Sequence, residues 1–320
     1  MAKAVVDSST PWQNQAGFLH DRSPLIGMSQ LHDEGTGGSP SLGNFPIWMT
    51  NCNNMSWDSC PKAYQDRRGY RIGEVRAKVG SFGVAIDTGY DVEMTSSRRT
   101  NLYRIKALIA TDVPALTVGL TDLSGSVTET YVEVKDNFRL VGNGTFKPSF
   151  GEGTFATTPI LTLGQYPLYF CMDTVTRESE IIDHAFIDRR ADFVFANAVE
   201  LKELHDVASK NPAVLLRLSP MAAGEEILVR MGTSFISSQQ ACANAEEEIP
   251  DYNMTKVASS SVAQFEEILN RIRVNTTHVS NDTVKLFYSS VCSQMIFADI
   301  VISDINLTSK LHGRESTLGY

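Results

Sequence analysis

From about residue 70 the chain alternates. Tyr70, Ile72, Val75, Ala77 and Val79, then Phe82, Val84 and Ile86, place apolar side chains at near-alternate positions, with Gly80 and Gly89 as breaks. A period of two marks a strand with one buried face. The same texture predicts strands over residues 91–97, 100–108, 115–120, 126–134, 137–142, 167–173, 213–218 and 226–236. Strands at short, regular spacing, parted by Gly and Asp turns, predict a mainly β fold built as a large antiparallel sandwich. Strand–helix alternation is missing, which excludes a parallel α/β sheet. After Ser238 the period lengthens. Residues 239–248 predict a short helix that stops before Ile249-Pro250, and a second helix opens on Ser260 with Phe265, Ile268, Leu269 and Ile272 on one face. A third is predicted over 280–297, and residues 304–320 show no coherent period. Residues 1–60, rich in Gly, Ser, Pro, Asn and Asp, read as loop-dominated.

Length changes that picture from a list of strands to a division of the chain. At 320 residues it exceeds the roughly 250–300 at which one core stops growing. The expectation is a sandwich domain over 1–258, a helical linker over 259–297 and an irregular tail over 298–320. A hydrophobic fraction of 42% is that of a globular protein. No window reaches the roughly 18–20 apolar residues of a transmembrane helix. A net charge of -9 argues against nucleic acid and anionic membrane as partners.

Compartment signals conflict. The N-terminus lacks the apolar run of a signal peptide, which taken literally means the cytosol or nucleus. Yet Asn54, Asn143, Asn253, Asn275, Asn281 and Asn306 each open an Asn-x-Ser/Thr acceptor, six of sixteen asparagines, and that excess leans toward a secretory history. Cys52 and Cys60 flank a short polar loop and are candidates for a local disulfide. Cys171, Cys242 and Cys292 sit in apolar surroundings and read as small core residues, and no pair has the spacing of a zinc site.

Candidate chemistry is sparse. The stretch Gln30-Leu-His-Asp-Glu-Gly-Thr-Gly-Gly-Ser-Pro sets His32, two carboxylates and the Thr36 hydroxyl beside three glycines that let backbone approach a ligand. It suits a polyhydroxylated ligand; a flexible surface turn is the plainer reading, and the glycine spacing is no phosphate fingerprint. His184, with Asp183 and Asp188-Arg-Arg nearby, and His20-Asp21-Arg22 read first as solvated charged connections. Trp12, Trp48 and Trp57 fall in the first segment, where stacking on sugar competes with ordinary core roles. No Gly-x-Ser-x-Gly elbow supports a serine nucleophile.

Three longer stretches carry a resemblance. Residues 16–47, Ala-Gly-Phe-Leu-His-Asp-Arg-Ser-Pro-Leu-Ile-Gly-Met-Ser-Gln-Leu-His-Asp-Glu-Gly-Thr-Gly-Gly-Ser-Pro-Ser-Leu-Gly-Asn-Phe-Pro-Ile, resemble the N-terminal signature of glycoside hydrolase family 92. Residues 230–250, Arg-Met-Gly-Thr-Ser-Phe-Ile-Ser-Ser-Gln-Gln-Ala-Cys-Ala-Asn-Ala-Glu-Glu-Glu-Ile-Pro, resemble its end-of-domain motif, and Glu267-Ile-Leu-Asn-Arg-Ile with Phe287-Tyr-Ser-Ser-Val resemble the start of its helical half. The likeness covers roughly residues 1–295.

The family consists of calcium-dependent, inverting exo-α-mannosidases, and the resemblance implies a galactose-mutarotase-like β-supersandwich. It also implies an (α/α)6 barrel holding the acid, the base and the calcium ligands. That barrel is absent here, so no catalytic residue and no metal ligand is assigned, and calcium is not expected to be fully held by this chain. The family's opening segment is likewise missing before Met1, so the chain is expected to be truncated at both ends. The loop is expected to face the active site, with His32, Asp33, Thr36 and Gly37 contacting the sugar. The implied partner is a mannose-containing glycan, and the implied compartment is the secretory route. The expected function is the carbohydrate-binding part of an α-mannosidase, inactive alone; the alternative is a non-catalytic carbohydrate-binding or interaction module. A mutarotase-like epimerase rests on fold analogy and ranks last.

Overall fold

The structure is a computed structural model that describes residues 4–9, 14–15, 17–19, 23–31, 43–61, 68–123, 126–147, 165–187, 194–196, 200–205 and 212–290. Contacts divide the chain into a unit spanning Ala2–Ser260 and a second one from Ser261 onward. In chain order the strands of the first unit are β1 (Val5–Ser9), β2 (Asn14–Gln15), β3 (Leu25–Ser29), β4 (Ile47–Asn51), β5 (Arg71–Lys78), β6 (Ser81–Ile86), β7 (Tyr90–Ser96), β8 (Thr100–Ala107) and β9 (Pro114–Gly119). They continue as β10 (Val127–Val134), β11 (Leu140–Phe146), β12 (Tyr166–Thr176), β13 (Ile181–Ile187), β14 (Val194–Ala196), β15 (Glu200–His205), β16 (Ala213–Leu218) and β17 (Glu226–Ser234). Two helices follow, α1 (Ser238–Glu248) and α2 (Met254–Leu269), the second running across the boundary.

Among the described residues the strands form two antiparallel sheets, one of eight ordered β14-β13-β16-β9-β4-β3-β1-β2 and one of nine ordered β15-β10-β11-β12-β17-β8-β7-β6-β5. Alternation explains the second. In β11, Leu140, Gly142, Gly144 and Phe146 are buried while Val141, Asn143 and Thr145 are partly exposed, so one face meets the interior. The inward rows of both sheets mesh in one apolar layer. Ile47, Leu116, Val118 and Leu216 come from the eight-stranded sheet, and Val92, Ile105, Phe170, Met172 and Met231 from the nine-stranded one.

The eight-stranded sheet follows a different rule. Its β3, β9 and β16 are buried along their whole lengths: a second cluster of Ala115, Ala213, Leu215, Ile187, Cys52 and Cys60 lies apart from the interlayer core beside β9 and β16, and Ile26 of β3 packs with Leu123 in a third. Strands buried on both faces read as short apolar runs rather than alternations. This is why residues 1–60, expected to be loop, in fact supply β1, β3 and β4. The charged connection expected around Asp183 and His184 is likewise a strand, β13, paired with β16. The strand expected from Asn137 begins only at Leu140. Asn137 and Phe138, with φ of 58° and 55°, make a left-handed turn between β10 and β11.

Helix α1 is tied to the nine-stranded sheet. Ser237 caps it, accepting from the Gln240 amide at 3.1 Å. Cys242 on its inner side forms a disulfide with Cys171 of β12, which corrects the expectation that these two are plain core residues. They are 71 residues apart in sequence, so no local spacing signals the bridge. Gly232 makes the close approach possible: a Cβ there would lie 2.3 Å from the Ala241 carbonyl oxygen. Beneath the helix end, Asp173 accepts from Arg230 at 2.5 Å and from Arg139 at 2.6 Å, and Arg230 also donates to the Ile249 carbonyl at 2.8 Å. Glu248 accepts from Ser97 Oγ at 2.6 Å and from the Arg99 amide at 2.8 Å. The following helix starts at Met254, earlier than the Ser260 expected. Asn253 Oδ1 caps it on the Lys256 amide at 3.0 Å, and Met254 and Val257 pack with Ile249 and Leu102. The third expected helix is described over residues 281–290.

Two substitutions read this attachment. Gly232→Ala is expected to destabilise the first unit by about 1–3 kcal/mol through overpacking, and Cys242→Ser by about 2–4 kcal/mol through loss of the cross-link. Urea denaturation followed by circular dichroism checks both; a Gly232→Ala midpoint equal to wild type would mean the helix can lift off the sheet freely.

Candidate functional site

The glycine-rich loop leaves the eight-stranded sheet after β3 and returns before β4. His32, Asp33, Thr36 and Gly37 lie outside the described residues; what is described is how the two ends of their loop are held. Gln30 N donates to the Asn44 carbonyl at 3.0 Å, and Gly43 N to the Leu31 carbonyl at 2.8 Å, so the ends close as a short neck. Gly43 has φ of 75°, and a Cβ there would meet Leu123 at 2.6 Å. Phe45, at φ of 49°, holds a backbone conformation that bulky side chains rarely adopt. Its amide donates to the Thr121 carbonyl at 2.9 Å, and its ring packs 4.6 Å from Phe170 and 5.5 Å from Phe146. Packing over-determines the strained residue, a pattern that recurs where backbone geometry serves a site.

Under the neck lies a buried polar network that joins the two sheets. Asn101 Nδ2 of β8 donates to Gln30 Oε1 at 2.9 Å and to the Gln30 carbonyl at 3.3 Å. The Tyr103 hydroxyl donates to Gln30 Oε1 at 3.1 Å and to the Ser29 carbonyl at 3.3 Å. Gln30 Nε2 donates onward to the Met28 and Phe45 carbonyls at 3.3 and 3.4 Å. Ser29 Oγ donates to Asp7 Oδ1 at 2.7 Å. Burial pushes the Tyr103 phenol up, keeping it a neutral donor, and pushes the Asp7 carboxyl well above its ordinary range. With both ends of the Gln30 amide engaged in a dry interior, the network fixes one geometry, that of the loop's first stem.

The second stem carries less satisfied chemistry. Asn44 is fully buried; its Nδ2 donates to the Tyr166 hydroxyl at 3.2 Å, while its Oδ1 has no hydrogen-bond partner. Tyr166 stacks on Phe146 at 5.6 Å and meets the half-exposed Phe235 edge-on at 6.2 Å. The unmet acceptor is itself buried, so only the half-exposed Phe235 ring offers a face on which an apolar ring can stack. Pattern reasoning singled out neither Asn44, Asn101, Tyr103 nor Tyr166. The available signal was polar side chains at positions where the alternation demands burial, as with Asn101 between Thr100 and Leu102.

Other candidates resolve into structural roles. His184 lies on β13 between the Phe138 and Phe186 rings, 5.9 and 5.7 Å away. Asp183 faces Arg217 at 3.9 Å, and the Arg217 guanidinium stacks 3.7 Å above the Trp57 ring. Trp48 is core. Trp12 and the His20-Asp21-Arg22 run lie outside the described residues. Cys52 and Cys60 are joined by a disulfide. Among the described residues no group of three or more His, Cys, Asp or Glu side chains converges as a metal site. Also among the described residues, no helix is long and apolar enough to cross a membrane.

Comparison with known proteins adds the following. The family model of the glycosyl hydrolase family 92 N-terminal domain matches residues 1–234, and that of the glycosyl hydrolase family 92 catalytic domain matches residues 240–308. The second match extends the likeness past residue 295, where the motifs ended. An uncharacterized secreted glycosidase of Arthroderma benhamiae is 30% identical over 306 residues, covering 92% of this chain and 38% of that protein. A family GH92 alpha-mannosidase of Bacteroides thetaiotaomicron superposes with a TM-score of 0.71 at 19% identity, covering 91% of this chain and 37% of that one. Its complex with mannoimidazole gives 0.64 at 19% identity, over 81% of this chain and 32% of that one. The chain thus spans well under half the length of these relatives, and the solved structures share its fold.

The network yields a pH prediction. Because the folded state holds the Asp7 proton more tightly than the unfolded chain does, this group's effect is absent below about pH 4 and becomes a growing penalty as pH rises above the ordinary carboxylate range. Asp7→Asn, which can still accept from Ser29, is expected to match wild type in urea midpoint near pH 4 and exceed it at pH 7. A gap that does not widen with pH would sink this reading.

Proposed function

Since the N-terminal domain of the family spans residues 1–234, the chain belongs to glycosyl hydrolase family 92, and we propose that it is the sugar-contacting N-terminal part of an inverting α-mannosidase acting on mannosylated N-glycans or mannans. Family membership over most of the chain is the observation that carries this reading. The supersandwich is proposed to occupy residues 1–258, with 259–297 leading toward a catalytic barrel and 298–320 as an irregular tail. Structural relatives that are α-mannosidases, one of them holding mannoimidazole, support a mannose-containing glycan as the partner.

Inverting hydrolysis needs a general acid on the leaving oxygen and a base activating water on the opposite ring face. Neither role is assigned to a residue of this chain, so it is proposed to bind and orient sugar but not to cleave it alone. The calcium that the family resemblance implies is proposed to lie with that acid and base. His32, Asp33, Thr36 and Gly37 are proposed to contact the sugar from the loop. Gln30, Asn101 and Tyr103 hold the first stem of that loop, and Asn44 with Tyr166 the second. The secretory route is proposed on two supports. The relative from Arthroderma benhamiae is described as secreted, and two disulfides suit an oxidising compartment.

The test uses the full-length gene product. It is expected to hydrolyse an α-mannoside with inversion, and His32→Ala is expected to lower kcat/KM at least tenfold, about 1.4 kcal/mol of transition-state binding. The 320-residue chain alone is expected to show no turnover. A full-length enzyme without α-mannosidase activity would overturn the assignment, and unchanged kinetics on His32→Ala would remove the loop's role.

A further inference from the structure

The fold uses its asparagines in two distinct ways. Asn44, Asn51, Asn101 and Asn244 open no acceptor motif, and each spends its side-chain nitrogen inside the fold. They donate to Tyr166 Oη, the Thr88 carbonyl, Gln30 and the Thr233 carbonyl at 3.2, 3.2, 2.9 and 2.8 Å. Three of the five described asparagines that open an Asn-x-Ser/Thr motif behave oppositely. Asn54, Asn253 and Asn275 each use Oδ1 to accept a nearby backbone amide, at 2.8, 3.0 and 2.9 Å, and their Nδ2 makes no hydrogen bond among the described residues. The nitrogen that would carry a glycan is the atom the structure leaves unused.

Asn54 is the sharpest case. It sits at the exposed tip of the loop closed by Cys52–Cys60, where its neighbour Met55 is 56% exposed. Every other polar group of Asn54 is engaged within that loop. Its amide donates to Ser59 Oγ at 3.1 Å, its carbonyl accepts from the same hydroxyl at 2.9 Å, and Oδ1 accepts from Ser56 N. An N-glycosyl amide keeps Oδ1 as an acceptor, so a glycan on Nδ2 disturbs none of these bonds. We infer that Asn54 is an N-glycan attachment site whose glycan projects from the Cys52–Cys60 loop. The donor is a lipid-pyrophosphate-linked oligosaccharide. A bond forms between Asn54 Nδ2 and the sugar's anomeric carbon, the anomeric C–O bond to pyrophosphate breaks, the amide loses one proton, and the lipid pyrophosphate leaves with the electron pair.

This inference rests on the secretory route proposed above, and the experiment supplies that route. The chain is expressed behind a cleavable secretion signal in a eukaryotic host. Glycans are released from the native, unreduced protein by an amidase in heavy-oxygen water, and the peptide spanning residues 52–60 is read by mass spectrometry. If the chain stays inside the cell, the same peptide is read from the microsomal fraction. The expected result is the labelled Asn54→Asp conversion in wild type, its loss in Ser56→Ala, and its retention in Ser56→Thr. An unmodified Asn54 beside a glycosylated Asn275 or Asn281 overturns the site and leaves the route standing. A chain without glycan at any acceptor overturns it as well. Release at Asn54 only after reduction and denaturation overturns the projecting geometry.

Discussion

The two sheets must share one dry layer while the chain after β3 carries polar groups into it, and the Gln30–Asn101 hydrogen bond is where those demands meet. Gln30 belongs to the chain leaving the eight-stranded sheet, and Asn101 to a central strand of the nine-stranded one. Taking their amides out of water costs free energy unless each finds a partner. Here the Gln30 amide is engaged at both ends, with Asn101 and Tyr103 on Oε1 and two carbonyls on Nε2. The layer stays apolar elsewhere, and the loop's first stem inherits the rigidity of both sheets.

The other stem is built on opposite terms. Strain at Phe45 and an unpartnered Asn44 oxygen are tolerated because three aromatic rings hold the backbone in place. One end of the loop is therefore satisfied and fixed, and the other carries spare hydrogen-bonding capacity beside Tyr166 and Phe235. A rigid frame limits the entropy lost on any binding at the loop.

How much of this could be read from the sequence depended on a strand's surroundings as well as on how many of its faces are covered. The six-residue β9 and β16, buried along their whole lengths but set among other strands, were legible. Strands β7, β8, β11 and β17 show at least one outward row, so their alternation or apolar density was legible. Strands β3 and β4 are five residues each and buried almost throughout, so they looked like isolated apolar patches in loop sequence. The Cys171–Cys242 bridge and the Gln30–Asn101 pair, each about seventy residues apart, were invisible because no local pattern encodes a distant partner. The proposal that the loop after β3 contacts sugar came from resemblance across residues 16–47, not from spacing. Alternation in fact gave no hint of Asn44 or Tyr166.

The anchoring of α1 has a consequence for how this segment tolerates changes in length. Cys242 fixes the helix at one point, and Glu248, gripped by Ser97 and Arg99, fixes it at another six residues on. Each residue of an α-helix turns the next by about 100°. One residue inserted or deleted between these points would swing Glu248 a quarter-turn or more away from its partners, whereas a swap of side chain on the outer face would leave both anchors intact. Drift in sequence is thus cheap along the helix's solvent side, but drift in length is not, and α1 acts as a ruler of fixed count between the last strand and whatever follows.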